Sequence, residues 1–136
     1  MKRMTMMTDR FIFFNPNREG KLVGDCVIRS LCAVLQLDWD EIFLRLSMLA
    51  FEMSDMMDSN IVWGRFLNLY GYIQMSVIDK GVGPYTVYDF CMDHPRGKYI
   101  LGTGIHAIAV IDGFYYDTSD TGNERIIFYY EKGRYV

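Results

Sequence analysis

The dipeptide Asp112-Gly113 constrains the fold of this chain most strongly, because it separates two segments rich in β-branched and aromatic residues. Asp-Gly in that setting is typical of a type I′ β-hairpin with a two-residue turn. The hairpin strands are predicted at 105–111 and 114–118, and further strand-like segments lie at 98–102 and 126–131. The last third of the chain is therefore predicted to form an antiparallel sheet.

Helical patterns dominate the preceding part of the chain. Apolar residues recur at three- and four-residue steps in segments that begin near Cys26, after Asp38 and after Ser59. Asp38 and Glu41 have the spacing of a capping box, and a second capping box starts a shorter helix at Thr86. A mostly helical first half followed by a sheet predicts the α+β class.

Composition favours a single globular domain and excludes several other classes. The 136 residues suit one domain spanning 1–136, with 1–10 expected to be a loosely ordered leader. The hydrophobic content of 51% excludes intrinsic disorder, and the net charge of −3 argues against a nucleic-acid-binding protein, which usually carries a basic stripe. Three cysteines, no signal peptide and no apolar run of about 20 residues predict a cytoplasmic protein that does not bind membranes.

Three side chains have the chemistry of an activated thiol. Cys26 begins a predicted helix, where the helix dipole and unpaired N–H groups favour the thiolate. In the predicted hairpin register, His106 and Asp117 are diagonal neighbours on one face, about 7–8 Å apart between Cα atoms, so the imidazole can reach the carboxylate. A thiol nucleophile, a histidine base and an acid that orients the base form a catalytic triad. Asp25 is expected to cap the helix, and its charge to oppose thiolate formation.

These residues also have purely structural interpretations. Cys26 taken alone is a small residue of the kind often buried in a core, and Asp117 taken alone is an ordinary acid in a strand. Cys32 and Cys91 lie within apolar helical patterns and are predicted to be core residues. Cys91 and His94 share a helix face, but no second pair completes four zinc ligands. No metal site is therefore predicted, and His94 is expected to cap its helix.

Three stretches of the sequence together resemble the papain-like cysteine peptidase superfamily. They are Val-Gly-Asp-Cys-Val-Ile-Arg-Ser-Leu at 23–31, Gly-Ile-His-Ala-Ile-Ala-Val-Ile-Asp-Gly at 104–113 and Tyr-Asp-Thr at 116–118. The chain order of cysteine, histidine and aspartate is also the order of that superfamily. The resemblance covers about 11–131 and is strongest for small, mostly uncharacterised proteins of phages and mobile elements of Gram-positive bacteria, which share the Asn-Pro-Asn stretch at 15–17.

The resemblance implies a papain-like fold in which the helix that begins at Cys26 packs on the C-terminal antiparallel sheet. It also implies a thiol hydrolase that cleaves an amide or isopeptide bond of a protein or peptide substrate without a cofactor. In that reaction Cys26 would attack the carbonyl carbon, His106 would act as base and then as acid, and Asp117 would orient His106.

The sequence departs from the superfamily at the oxyanion hole. Papain-like enzymes commonly carry a glutamine six residues before the nucleophile, and Gly20 occupies that position here. The expected oxyanion donors are therefore the backbone N–H of Cys26 together with the side chain of Asn17 or Asn15.

Two other functions are compatible with these residues. The missing glutamine favours a phage or mobile-element binding protein that blocks a host factor and has an inactive thiol site, whereas the intact set of Cys26, His106 and Asp117 disfavours it. Acyl transfer to an amine would use the same three residues as hydrolysis.

Overall fold

The computed structural model describes residues 9–78 and 83–133, so the predicted leader lies outside the described residues except for its last two positions. This part of the chain contains four helices: α1 (Cys26–Leu35), α2 (Trp39–Glu52), α3 (Asn60–Leu69) and α4 (Val87–Asp93). Its strands are β1 (Phe11–Phe13), β2 (Tyr72–Ser76), β3 (Lys98–Gly102), β4 (Ala107–Ile111), β5 (Phe114–Asp117) and β6 (Phe128–Lys132). None of the four helices is long and apolar enough to cross a membrane.

The strands form one mixed sheet, which confirms the α+β class; the four strands of the last third of the chain pair antiparallel, as predicted, and β1 and β2 extend the sheet at its two edges. The strand order is β1-β5-β4-β3-β6-β2, with β1 parallel to β5 and every other neighbouring pair antiparallel. Both edge strands, β1 and β2, come from the part of the chain that carries mainly helical patterns. A parallel pair needs a long crossover connection, and the helical segments between β1 and β5 provide it.

The predicted hairpin register is confirmed. β4 and β5 pair at the turn through Ile111 and Phe114, with the register that a two-residue turn requires. Both turn residues have positive φ, 50° at Asp112 and 81° at Gly113, which is the geometry of a type I′ turn. β4 is two residues shorter than predicted, so His106 lies just before its first residue.

The two predicted capping boxes have different outcomes. The box at Thr86 is confirmed, because its side chain accepts from the Asp89 backbone N–H while the Asp89 carboxylate accepts from the Thr86 N–H. Asp38 does occupy the N-cap position of α2, but its side chain makes no capping hydrogen bond. The box with Glu41 is therefore wrong, and Glu41 instead pairs with Arg45 one turn later on the exposed surface of α2.

α1 is the most deeply buried helix and sets the position of the site. It packs on β4 and the neighbouring strands, and every residue from Val27 to Val34 is buried. The Ser30 hydroxyl donates to the Ala107 carbonyl oxygen over 3.0 Å, which fixes α1 against the start of β4. The predicted packing of this helix on the sheet is confirmed.

Candidate active site

Cys26 and His106 meet where the N-terminus of α1 faces the start of β4. Cys26 is the first residue of α1 and is half-buried. The His106 ring and the backbone N–H of Ala107 lie near enough to the sulfur to favour its thiolate, which lowers the pKa of the thiol. The residues predicted to be nucleophile and base are therefore neighbours that line one cavity.

The His106 ring also contacts Asp117, as the hairpin register predicts. His106 Nε2 donates to Asp117 Oδ2 over 3.0 Å. Because Asp117 engages Nε2, the other ring nitrogen, Nδ1, is the one available to Cys26. The structure thus brings the three predicted site residues into one chain of contacts.

The Asp117 carboxylate is held by four donors although it is only 2% exposed. Its Oδ1 accepts from Arg29 Nη2 over 2.9 Å and from the Thr118 backbone N–H over 2.7 Å. Its Oδ2 accepts from His106 Nε2 and from the Thr121 hydroxyl, the latter over 2.9 Å. A buried carboxylate with its lone pairs satisfied in this way has a fixed orientation, so it fixes the ring of His106 as well.

Arg29 is a component of the site that the sequence reasoning missed. Its side chain is buried and bridges two acids, with Nη1 2.6 Å from Asp25 Oδ1 and Nη2 2.9 Å from Asp117 Oδ1. The spacing of Asp25 and Arg29, four residues apart across the start of a helix, was the available signal. The contact with Asp117 carries no local signal, because the two residues are 88 positions apart.

Asp25 does not play the part expected from the sequence. It occupies the N-cap position of α1, but its side chain makes no capping hydrogen bond. Its Oδ1 accepts from Arg29 and its Oδ2 accepts from Trp39 Nε1 over 2.8 Å. The negative charge that was expected to oppose the Cys26 thiolate is therefore paired with a buried guanidinium.

The contacts of the site favour a thiolate and an imidazolium. Burial alone raises the pKa of the Cys26 thiol, but the hydrogen bonds from His106 and Ala107 and the charges of His106 and Arg29 outweigh it and hold this pKa below its ordinary value. The hydrogen bond to Asp117, with a smaller contribution from Cys26, raises the pKa of His106 to about 10. Burial also raises the pKa of Asp117, but the hydrogen bonds from its donors bring it below the usual value.

The other two cysteines are core residues, as predicted. Cys32 lies within α1 and Cys91 within α4, and both side chains are buried. Burial raises the pKa of each thiol to about 12. Of the three free cysteines, only Cys26 combines access to a cavity with a stabilised thiolate.

A cavity of about 410 Å³ opens over Cys26 and His106. Its volume lies within the range of ligand pockets, roughly 300–1,000 Å³. The remaining lining residues come from the loop before α1 and the first turn of α1, from the start of α3 and the residue two positions before it, from the loop before β4 and the first residue of β4, and from the residue after β5: Val23, Gly24, Asp25, Val27, Arg29, Asp58, Asn60, Trp63, Gly104, Ile105, Ala107 and Thr118. A carbonyl group bound here can approach the sulfur and the imidazole together.

The predicted oxyanion donors Asn15 and Asn17 do not line this cavity. The Asn15 amide donates to the Lys21 carbonyl oxygen over 3.2 Å, and the Asn17 side-chain oxygen accepts from the backbone N–H groups of Glu19 and Lys21. Both side chains therefore shape the loop before α1. Their polarity made them candidates in the sequence, but turn chemistry accounts for their contacts.

Asn60 is the asparagine that does line the cavity, and the sequence reasoning did not single it out. Its side-chain nitrogen donates to the Gly104 carbonyl oxygen over 3.2 Å, and its side-chain oxygen accepts from Trp63 Nε1 over 3.0 Å. These bonds connect α3 to the loop before His106. The backbone N–H of Cys26, in the first turn of α1, has no acceptor within the helix, so it is a donor available to a bound oxygen.

His94 lies away from this site and caps α4, as predicted. Its Nδ1 donates to the Phe90 carbonyl oxygen over 2.9 Å, and the two rings stack with centroids 3.7 Å apart. Within residues 9–78 and 83–133, no group of three or more histidine, cysteine or acidic side chains is placed to hold a metal ion.

No protein-family model, no curated protein and no solved structure matches this chain. The papain-like resemblance therefore stays a prediction, and the function is argued from the geometry of the site.

Proposed function

We propose that this protein is a thiol hydrolase of papain-like type that cleaves an amide or isopeptide bond of a protein or peptide substrate. The observation that carries the proposal is the chain of contacts from Cys26 through His106 to Asp117. The imidazole is near enough to the sulfur to lower the pKa of the thiol, and it lies 3.0 Å from the carboxylate. This is the arrangement that an activated thiol nucleophile requires.

The reaction proceeds through a thioester. The Cys26 sulfur attacks the carbonyl carbon, and the π electron pair moves to the oxygen to give a tetrahedral intermediate. When that intermediate collapses, the C–N bond breaks and His106 gives its ring proton to the leaving nitrogen. His106 then takes a proton from water as the water attacks the thioester. The C–S bond breaks, which releases a carboxylic acid and returns the Cys26 thiolate and the His106 imidazolium.

Asp117 and Arg29 support this reaction without contacting the substrate's reacting atoms. Asp117 accepts a hydrogen bond from Nε2–H, so it directs Nδ1 toward the sulfur and stabilises the imidazolium. Arg29 donates to Oδ1, the carboxylate oxygen of Asp117 that His106 does not contact. Its positive charge also favours the Cys26 thiolate. No cofactor takes part in these steps.

The proposed oxyanion donor is the backbone N–H of Cys26. Asn15 and Asn17 are engaged in the loop before α1 and do not line the cavity. Loss of one oxyanion donor typically lowers turnover by about 10²–10³-fold. We therefore expect slow turnover compared with an enzyme that also has a side-chain donor.

The absence of Asn15 and Asn17 from the cavity also favours a second candidate function. A phage or mobile-element protein of this fold could bind and block a host factor, with the thiol site inactive because its oxyanion hole lacks the side chain of Asn15 or Asn17. A cytoplasmic location suits either function, because all three cysteines are free. Acyl transfer to an amine is distinguished from hydrolysis by the products.

Site-selective alkylation tests the proposal. A limiting amount of iodoacetamide at pH 7 should modify Cys26 before Cys32 and Cys91, and His106→Ala should slow that modification, since it removes a donor to the thiolate. Peptide mapping by mass spectrometry follows all three sites in one sample.

Incubation with a mixture of peptides should then give new termini that are absent with Cys26→Ala. Selective alkylation without any cleaved or transferred product would support the binding protein instead. Equal alkylation of the three cysteines would contradict the hydrolase.

A further inference from the structure

A groove of about 450 Å³ is lined by one face of α3 and by residues of β2 and β6. We propose that this groove, called here the α3 groove, binds a carboxylate group attached to an apolar body, whether that is a small organic acid or the C-terminal residue of a peptide. Cys26, His106 and Asp117 lie outside its lining. The inference therefore goes beyond the proposed hydrolase and does not depend on it.

The strand register builds one wall of the α3 groove. Gln74 of β2 pairs directly with Tyr130 of β6, so both side chains lie on the same face of the sheet. Phe128 precedes Tyr130 by two residues and therefore shares that face. All three residues line the groove. This wall thus presents an aromatic ring beside an amide and a hydroxyl group.

The other wall is one face of α3. Its lining residues recur at three- and four-residue steps, as Ile61, Gly64, Arg65 and Asn68. Gly64 lies in the interior of the helix, where glycine is less favourable than alanine. A side chain at this position would overlap the Tyr130 hydroxyl. The glycine therefore makes room for that hydroxyl between the two walls.

Three polar side chains of the α3 groove are uncommitted. Within the described part of the chain, the Tyr130 hydroxyl, the Arg65 guanidinium and the Gln74 amide form no hydrogen bond or ion pair. Tyr130 is only 6% exposed, and its ring packs against Trp63 and Phe128. A hydroxyl on so deeply buried a side chain normally has a partner. Because Tyr130 lines the groove, a bound ligand can supply that partner.

The uncommitted groups together select a carboxylate. A guanidinium, a hydroxyl and an amide can each donate to an oxygen, and the planar fork of arginine matches the two oxygens of a carboxylate. Burial raises the pKa of Tyr130, so its hydroxyl keeps the proton that it would donate. Arg65 is the only ionised side chain among the described residues that line the groove. One positive charge balances a carboxylate, whereas phosphate groups are typically bound by clusters of arginines.

The rest of the lining is suited to the apolar body of the ligand. Met53, Ile61 and Phe128 supply apolar surface, and Ile61 is 69% exposed without a ligand. The volume of the groove lies within the roughly 300–1,000 Å³ of ligand pockets. A group as large as a phenylalanine side chain can therefore cover these residues while its carboxylate meets Arg65.

Titration with N-acetylphenylalanine and with its amide, followed by two-dimensional amide NMR, tests this inference. The two compounds differ only in the carboxylate. The acid should shift the signals of Gly64, Arg65 and Gln74 with a Kd of about 1 mM or below. The amide should bind about tenfold more weakly, because it loses the charged partner of Arg65.

Two variants assign that preference to the α3 groove. Arg65→Gln changes an exposed side chain and should weaken binding of the acid about tenfold, with little effect on the amide. Tyr130→Phe removes only the unpartnered hydroxyl, so it should leave the fold stable and weaken binding of the acid about two- to tenfold. Arg96 is an exposed arginine and Tyr72 a buried tyrosine, and neither lines the groove. Arg96→Gln and Tyr72→Phe are therefore matched controls and should leave the Kd unchanged.

The source of the carboxylate follows from a longer probe, N-acetyl-trialanyl-phenylalanine. Binding at least as tight as that of N-acetylphenylalanine would identify the C-terminus of a peptide as the ligand. Binding of N-acetylphenylalanine alone would identify a small organic acid. Both results support a carboxylate site.

Three results would overturn the inference. They are equal affinity for the acid and its amide, no binding of the acid at about 10 mM, and binding that neither Arg65→Gln nor Tyr130→Phe weakens. The imidazolium of His106 is another possible partner for an anion, so signal shifts confined to Cys26 and His106 would overturn it as well. None of these readouts uses the reactivity of Cys26, so the carboxylate site and the hydrolase can fail separately.

Discussion

Replacement of Arg29 by methionine is the sharpest test of the site's architecture. Arg29→Met keeps an unbranched apolar stem but removes the guanidinium that bridges Asp25 and Asp117. Asp117 retains three of its four donors, whereas Asp25 retains only Trp39 Nε1. The variant therefore leaves the negative charge of Asp25 buried with one neutral donor.

The expected loss follows from the burial of this network. Breaking a buried ion pair by removing one partner costs about 3–5 kcal/mol, because the remaining charge stays uncompensated. With a urea m-value of about 2 kcal/mol/M, that loss lowers the midpoint of unfolding by about 2 M. Folded domains are stable by about 5–15 kcal/mol, so enough of the variant should remain folded for measurement.

Urea unfolding followed by far-UV circular dichroism measures this loss. Arg18→Met is the matched control, since Arg18 pairs with Asp40 over 3.1 Å on the exposed surface and should lose about 1 kcal/mol or less. Adding Asp25→Asn to Arg29→Met should recover part of the stability, because it removes the uncompensated charge. A loss no larger than that of the control, or no recovery in the double variant, would refute the assignment of a buried charge network.

Three further predictions concern the reactive groups and one helix cap. The alkylation rate of Cys26 should rise with pH through a pKa below the ordinary thiol value of about 8.5. Cys32, with a pKa of about 12, should stay unreactive over the same range. His106→Ala should move the midpoint of the Cys26 pH profile to a higher pH. Asp117 has a lowered pKa in the folded state, so its contribution to stability is present above about pH 4 and is lost as the pH falls. Asp117→Asn should therefore lower the urea midpoint at pH 7 and flatten its decline toward pH 2, and an unchanged decline would contradict this. Thr86→Ala removes the confirmed capping box and should cost about 1 kcal/mol by thermal unfolding, with no change in the alkylation rate of Cys26.

Local chemistry made the hairpin half of the site predictable from the sequence. Asp112-Gly113 fixes a two-residue turn, the turn fixes the register, and the register places His106 beside Asp117. The start of α1 at Cys26 was likewise readable from the apolar pattern that follows it. In each case the deciding interactions lie within about a dozen residues of one another.

The features that the sequence reasoning missed depend on contacts between distant parts of the chain. Phe11–Phe13 has the composition of a strand, but nothing local selects β5 as its parallel partner. Arg29 has a visible partner four residues away in Asp25, while its second partner comes from the opposite end of the domain. At Asp38 the sequence predicted a capping hydrogen bond that the structure does not contain, because a favourable capping pattern does not decide where the side chain points.

The strand order has a consequence for how the protein is made. β1 and β2 are synthesised before β3, β4, β5 and β6, yet they occupy opposite edges of the finished sheet and do not pair with each other. Neither can be incorporated until the central strands, which the ribosome makes last, have emerged. Cys26 also precedes His106 and Asp117, so a nascent or truncated chain carries an ordinary thiol. The lowered pKa of this cysteine should therefore appear only once the whole domain has been translated and folded.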